Sequence, residues 1–251
     1  MTRNNKVLQL SILLVCAIVV IVVIGPFKKD QPRQLGENAQ GQAFASVPEE
    51  SVENEEVQQS SGGAISLEQV KELLMKQGIN DELYWEALSY EEVELDGDDE
   101  PEVVAAIDGG SHLGAFFIFD KTSSGDYSLI FDKSWKVASL NFGAPIEVAE
   151  KKLLQVIEMT GGSGVSVQIA HLLEIQNGEV IEAWQGTLKD MNAMFGGNYY
   201  VVAGSFQIVN DIMYAWETRS ELEDDTVTVK GKPTTTVKMY TYNGTQFIEQ
   251  K

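Results

Sequence analysis

Apolar and polar positions divide the chain into three stretches. From Val7 to Phe27 it reads VLQLSILLVCAIVVIVVIGPF, apolar throughout except at Gln9 and Ser11. About 20 residues rising 1.5 Å each make roughly 30 Å, the thickness of a bilayer's hydrocarbon core. This predicts a transmembrane helix over residues 7–27, preceded by a cytoplasmic tail of residues 1–6. Residues 28–64 are rich in Gln, Glu, Asn, Ser and Gly and show no apolar period, so they read as a disordered acidic linker. Residues 65–251 carry the periodicities of a folded domain, expected on the extracytoplasmic side.

Two processing alternatives to an anchor fit the residues poorly. Signal cleavage needs small residues after the apolar run, where this chain has Val23-Ile24-Gly25-Pro26. Lipidation at Cys16 needs a small residue before it, and Val15 stands there. Lys28 and Lys29 nearly balance Arg3 and Lys6 across the span, so orientation rests on the short basic N-terminus.

Within the domain, Ser66 is placed to cap a short helix in which Leu67, Val70, Leu73 and Leu74 recur at helical spacing and which Gly78 ends. Asp81 opens a second turn through Trp85 and Leu88, making residues 65–88 a helical lead-in. The pattern then switches to short β-branched and aromatic runs. Three stretches look alike, each with an apolar strand (Val103–Ile107, Leu153–Ile157, Ile212–Trp216) followed by a hairpin (115–131, 170–184, 237–249). The hairpin turns carry Ser124-Gly125, Asn177-Gly178 and Asn243-Gly244; the two Asn-Gly pairs are strong two-residue signals because both residues tolerate positive φ. A shorter strand precedes each unit, at Val93–Leu95, Val137–Phe142 and Ser205–Val209. The expected fold is mainly β: about three four-stranded antiparallel propeller-blade-like units, preceded by a short helix and an N-terminal transmembrane helix.

Charge narrows the partners. The net charge is −20, which repels phosphate backbones and disfavours nucleic acid. The sole cysteine, Cys16, lies in the apolar run, so the domain has no disulfide, thiolate nucleophile or cysteine metal site.

One segment carries a specific chemical pattern: Glu94-Leu95-Asp96-Gly97-Asp98-Asp99-Glu100-Pro101-Glu102, running into Val103-Val104. It resembles the D-x-D-G-D-G-x-x-[DE] turn of FG-GAP/VCBS-type repeats, found in bacterial envelope proteins and integrin-like propellers. The resemblance implies calcium, held by Glu94, Asp96, Asp98 and Glu102, because a hard cation takes several convergent oxygens. Asp99 stands where that family has glycine, and Glu94 replaces a shorter aspartate.

Catalytic constellations are sparse. His112 and His171 are the only histidines, and Ser111 and Ser163 lack a nucleophile elbow, since Leu113 and Val165 occupy the second glycine position. Gly161-Gly162-Ser163-Gly164 lacks the Lys of a P-loop and reads as a turn. Trp135, Trp184, Trp216, Tyr199 and Tyr200 read as strand core, with a carbohydrate-stacking face as the alternative. Asn243-Gly244-Thr245 matches a glycosylation acceptor but serves its turn first. The expected function is a membrane-anchored, non-catalytic binding or assembly module of the cell envelope, its partner an envelope protein or glycan. The alternatives are a cell-wall hydrolase using acidic residues and a calcium-responsive interaction domain.

Overall fold

The computed structural model describes residues 65–251 apart from 80–83, 99, 111–112, 123, 139, 141–143 and 195. The expected tail, anchor and linker lie outside the described residues. Among those described, no helix is long and apolar enough to cross a membrane.

Helix α1 spans Leu67–Lys76. Ser66 and Gln69 form a reciprocal capping box: Ser66 Oγ accepts from the Gln69 amide at 3.3 Å, and Gln69 Oε1 accepts from the Ser66 amide at 2.9 Å. Gly78, at φ +79°, ends the helix as its sequence position suggests. Val70 and Leu74 are fully buried, whereas Leu67 lies on the solvent side of the expected apolar stripe. The second turn survives as a single 3-10 turn, Trp85–Ala87, and Asp81 falls outside the described residues.

The first sheet is a meander of β1 (Leu88–Val93), β2 (Glu102–Asp108), β3 (Gly114–Lys121) and β4 (Tyr127–Lys133), each antiparallel to the next. It contains the apolar strand and hairpin of the first expected unit, but the short strand expected at Val93–Leu95 lies earlier, at Leu88–Val93. Both faces of β2 and β3 are covered, which explains why they read as continuous apolar runs rather than alternating ones. Val103, Ala105, Ile107, Phe117 and Phe119 pack with Val70 and Leu74 of α1. Val104, Ala106, Phe116 and Ile118 face the second sheet, meeting Leu154, Val156, Leu173 and Ile175. Each buried phenylalanine contributes about 1.5–3 kcal/mol relative to exposure.

The second sheet joins eight strands in chain order: β5 (Ile146–Val148), β6 (Lys151–Gly162), β7 (Val165–Gln176), β8 (Glu179–Asn192), β9 (Tyr200–Val209), β10 (Ile212–Leu222), β11 (Val229–Tyr242) and β12 (Phe247–Glu249). The second and third expected units therefore run on as one sheet, because β8 pairs directly with β9 over Lys189–Asn192. Of the strand expected at Val137–Phe142, the described residues show a bridge between Val137 and Glu158.

Turn chemistry sets this sheet's register. Four two-residue hairpin loops have positive φ at both positions: Ala149-Glu150, Ser163-Gly164, Asn177-Gly178 and Asn210-Asp211. That conformation matches the right-handed strand twist. The second Asn-Gly pair behaves differently. Asn243 opens a four-residue loop between Tyr242 and Phe247, its Oδ1 accepting from the Thr245 and Gln246 amides at 2.9 and 2.8 Å.

The sheet folds back on itself at Gly204. A Cβ there would lie 1.8 Å from the Thr187 carbonyl oxygen, so only glycine permits the strands to meet this closely. Beyond it, β9–β12 form a layer over β5–β8. Leu153, Leu172 and Ala183 from one layer enclose a core with Met213, Tyr242 and Phe247 from the other. Buried Glu174 on β7 clasps the layers: it accepts from the Tyr242 hydroxyl on β11 and from Gln176 at 2.7 Å, and pairs with Lys151 at 3.4 Å.

Candidate cation site

The loop between β1 and β2 is built around a carboxylate that the fold buries. Glu102 opens β2 opposite Val93, and its side chain is fully enclosed. Leu95 enters the core and turns its own amide inward, donating to Glu102 Oε2 at 2.7 Å. Glu102 Oε1 is buried without a hydrogen-bond partner, and so is Glu94 Oε2. Orphaned buried acceptors are rare in folded proteins, since each forfeits its hydration. Burial pushes the Glu102 carboxyl up to about 8; the Leu95 amide works against this, and the charges of Asp96 and Glu94 add to it.

The rest of the loop curls tightly. Gly97 adopts φ +90°, its amide donating to Glu94 Oε1 at 2.6 Å. Asp96 Oδ1 accepts from the Asp98 amide at 3.1 Å, and Asp98 Oδ1 from the Glu100 amide at 2.8 Å. These bonds hold three acidic side chains on one rim. Lys152 pairs with Glu94 at 3.3 Å, partly balancing the charge.

All four residues expected from the sequence gather here, but as two overlapping groups. Glu94, Asp96 and Asp98 bring one carboxylate oxygen each within 4.8 Å of one another, and Asp96, Glu102 and Asp120 do the same. Asp120 was missed because it comes from β3, outside the loop. The β2–β3 register pairs Val103 with Phe119, and one more step sets Asp120 beside Glu102. Counting that hairpin's register along the sequence is the signal that finds it. Burial raises the Asp120 carboxyl, reinforced by the charge of Asp98; Asp96 is raised by burial too, against the Asp98 amide bond. Crowded carboxylates with orphaned oxygens are the donor set a hard cation such as calcium satisfies, replacing mutual repulsion with coordination. The residues present fit that ion.

The other expected chemistry disperses. Ser111 and His112 fall outside the described residues. His171 is buried on β7, with Nδ1 2.6 Å from Glu182 Oε1 and Nε2 3.2 Å from Glu158 Oε2, and its ring stacks on Trp135 at 4.0 Å. Ser163 sits in the β6–β7 turn, eight residues along the strand and so roughly 25 Å away. The aromatics form no single platform. Trp135 stacks between the sheets, Trp184 packs on Phe206 inside the folded layer, and Tyr200 lies under Arg219 with its hydroxyl on Asp190. Comparison with family models, curated proteins and solved structures gives no match.

Proposed function

We propose that this chain is a calcium-responsive binding or assembly module of the bacterial cell envelope, held by a single-pass anchor with its β domain on the extracytoplasmic side. The observation that carries the calcium reading is the Glu102 side chain: fully buried, one oxygen unpartnered, and aimed into a group of further carboxylates. The anchor and its side of the membrane rest on the apolar run of residues 7–27 and the basic residues before it. The resemblance of loop 94–102 to FG-GAP/VCBS-type repeats supports the same assignment, and Leu88–Lys133 is read as a blade-like unit carrying the loop. A hydrolase has less behind it, because the acidic groups brought together converge on a point instead of flanking a cleft.

Thermal unfolding of the full chain with calcium or with a chelator tests the reading. A ligand that binds only the folded state at 100 times its Kd adds about 2.7 kcal/mol, or roughly 5–10 °C for a domain of this size. Calcium should raise the melting temperature by that order and magnesium by less, since magnesium demands a tighter octahedron. An unchanged transition in millimolar calcium would sink the proposal.

A further inference from the structure

The folded-over layer has two unlike faces. Register across β9, β10 and β11 places Ile208, Met213 and Tyr240 together on the inner side, and the charged positions Glu217 and Lys238 share their parity. The alternate positions face outward. They bring Val209, Tyr214, Trp216, Val237, Met239 and Ile248 onto one surface, interspersed only with serine, threonine, glutamine and Ile212. From Ser205 across to Ile248 this surface has no charged residue, in a chain whose net charge is −20. Val237 is 62% exposed, Ile248 46%, Val209 44% and Met239 40%. Nothing among the described residues covers them.

We propose that this face packs against the same face of a second copy of the chain, the two layers stacking sheet on sheet. Charge selects that occupant. A basic partner would be drawn to the acidic surfaces, whereas an uncharged face is matched by another uncharged face, and each copy supplies one. Two copies at −20 repel one another, and stacking here keeps Glu217 and its neighbours on the far side of each layer. The exposed aliphatics favour protein over glycan: valine, isoleucine and methionine offer sugar hydroxyls no hydrogen bond, but they interdigitate well between stacked sheets. A two-fold axis near Trp216 and Val237 makes the contact isologous and closed. The inference is independent of the calcium reading.

The full-length chain in detergent or nanodiscs provides the test. In a Cys16→Ser background, Val237→Cys should give a dimer with a short bismaleimide, and Glu147→Cys, exposed on β5 in the other layer, should not. Light scattering should show a dimer that Met239→Glu weakens by about tenfold or more, with the melting temperature unchanged at dilutions where both proteins are monomeric, because like charges would then meet across the contact. A wild-type monomer, equal crosslinking from both cysteines, or a dimer indifferent to Met239→Glu would each overturn the proposal. So would a monomer that binds neutral glycan through this face.

Discussion

The β1–β2 loop and the outer face of β9–β11 place charge in opposite ways. The loop crowds Glu94, Asp96, Asp98 and Glu102 together with Asp120 and buries part of the set. The outer face excludes charge altogether over four strands. Neither arrangement favours an isolated soluble domain. Crowded carboxylates repel and resist burial, and exposed aliphatics leave apolar surface in water. Each becomes favourable once something is added, a cation at the loop and an apolar surface at the face. The difference lies in the partner's chemistry.

The largest expected effect is at the loop and comes from Glu102. Its carboxyl is raised from about 4.5 in the unfolded chain to about 8 in the folded one. Between those values the native state holds a proton that the unfolded state has released. The contribution of Glu102 to stability without calcium is therefore fully present below pH 4.5 and is lost as pH rises toward 8, by up to about 1.4 kcal/mol per pH unit. Glu102→Gln cannot ionise, so it should flatten that slope and abolish the calcium response together. Bound calcium should flatten it as well, by favouring the ionised carboxylate. Urea unfolding at successive pH values checks this, and a slope that survives the substitution would show that Glu102 is not its source.

The second effect separates the two regions. Gly204→Val places a branched side chain where even a Cβ falls 1.8 Å from the Thr187 carbonyl oxygen, a backbone atom that cannot rotate away. We expect a loss of about 3 kcal/mol, at the upper end for overpacking. Because the change strikes the corner that creates the outer layer, association of copies should fail. The loop belongs to the other sheet, so calcium should still raise the melting temperature of whatever remains folded. Loss of both properties together would mean that the sheets unfold as one cooperative unit.

Local signals in the sequence mark much of this architecture. The Ser66 cap, Gly78, the β2 and β3 runs and the Asn177-Gly178 turn each announce themselves, because each depends on residues within a few positions. Three features stay hidden for physical reasons. Ala149-Glu150 and Asn210-Asp211 take positive φ at both positions without glycine, so they lack the Asn-Gly signature that marks a two-residue turn in a sequence. The fusion of the second and third units into one sheet depends on whether β8 pairs with β9, a long-range choice that similar hairpins do not reveal. The outer face is invisible until pairing is known, since its residues alternate with core residues along each strand.

The smallest effect is the one that resolves the ion's seat. The sequence points to a set confined to the loop, Glu94, Asp96 and Asp98 with Glu102, whereas the structure adds a second group that trades the rim for Asp120. Asp120 is half-buried beside Glu102 and Asp98 is exposed, so an ion drawn to the orphaned Glu102 oxygen sits on the Asp120 side. Asp120→Asn should then weaken calcium binding by about tenfold, or 1.4 kcal/mol. Asp98→Asn should cost only a factor of about two to three, as expected for an exposed carboxylate in high dielectric. Both variants keep the side-chain shape, so apo stability should hold or rise slightly as repulsion within the cluster is relieved. Calorimetric titration of the two variants decides between the seats. If Asp98 proves the stronger determinant, the ion rests on the loop rim, and the burial of Glu102 serves the fold of the β1–β2 turn instead.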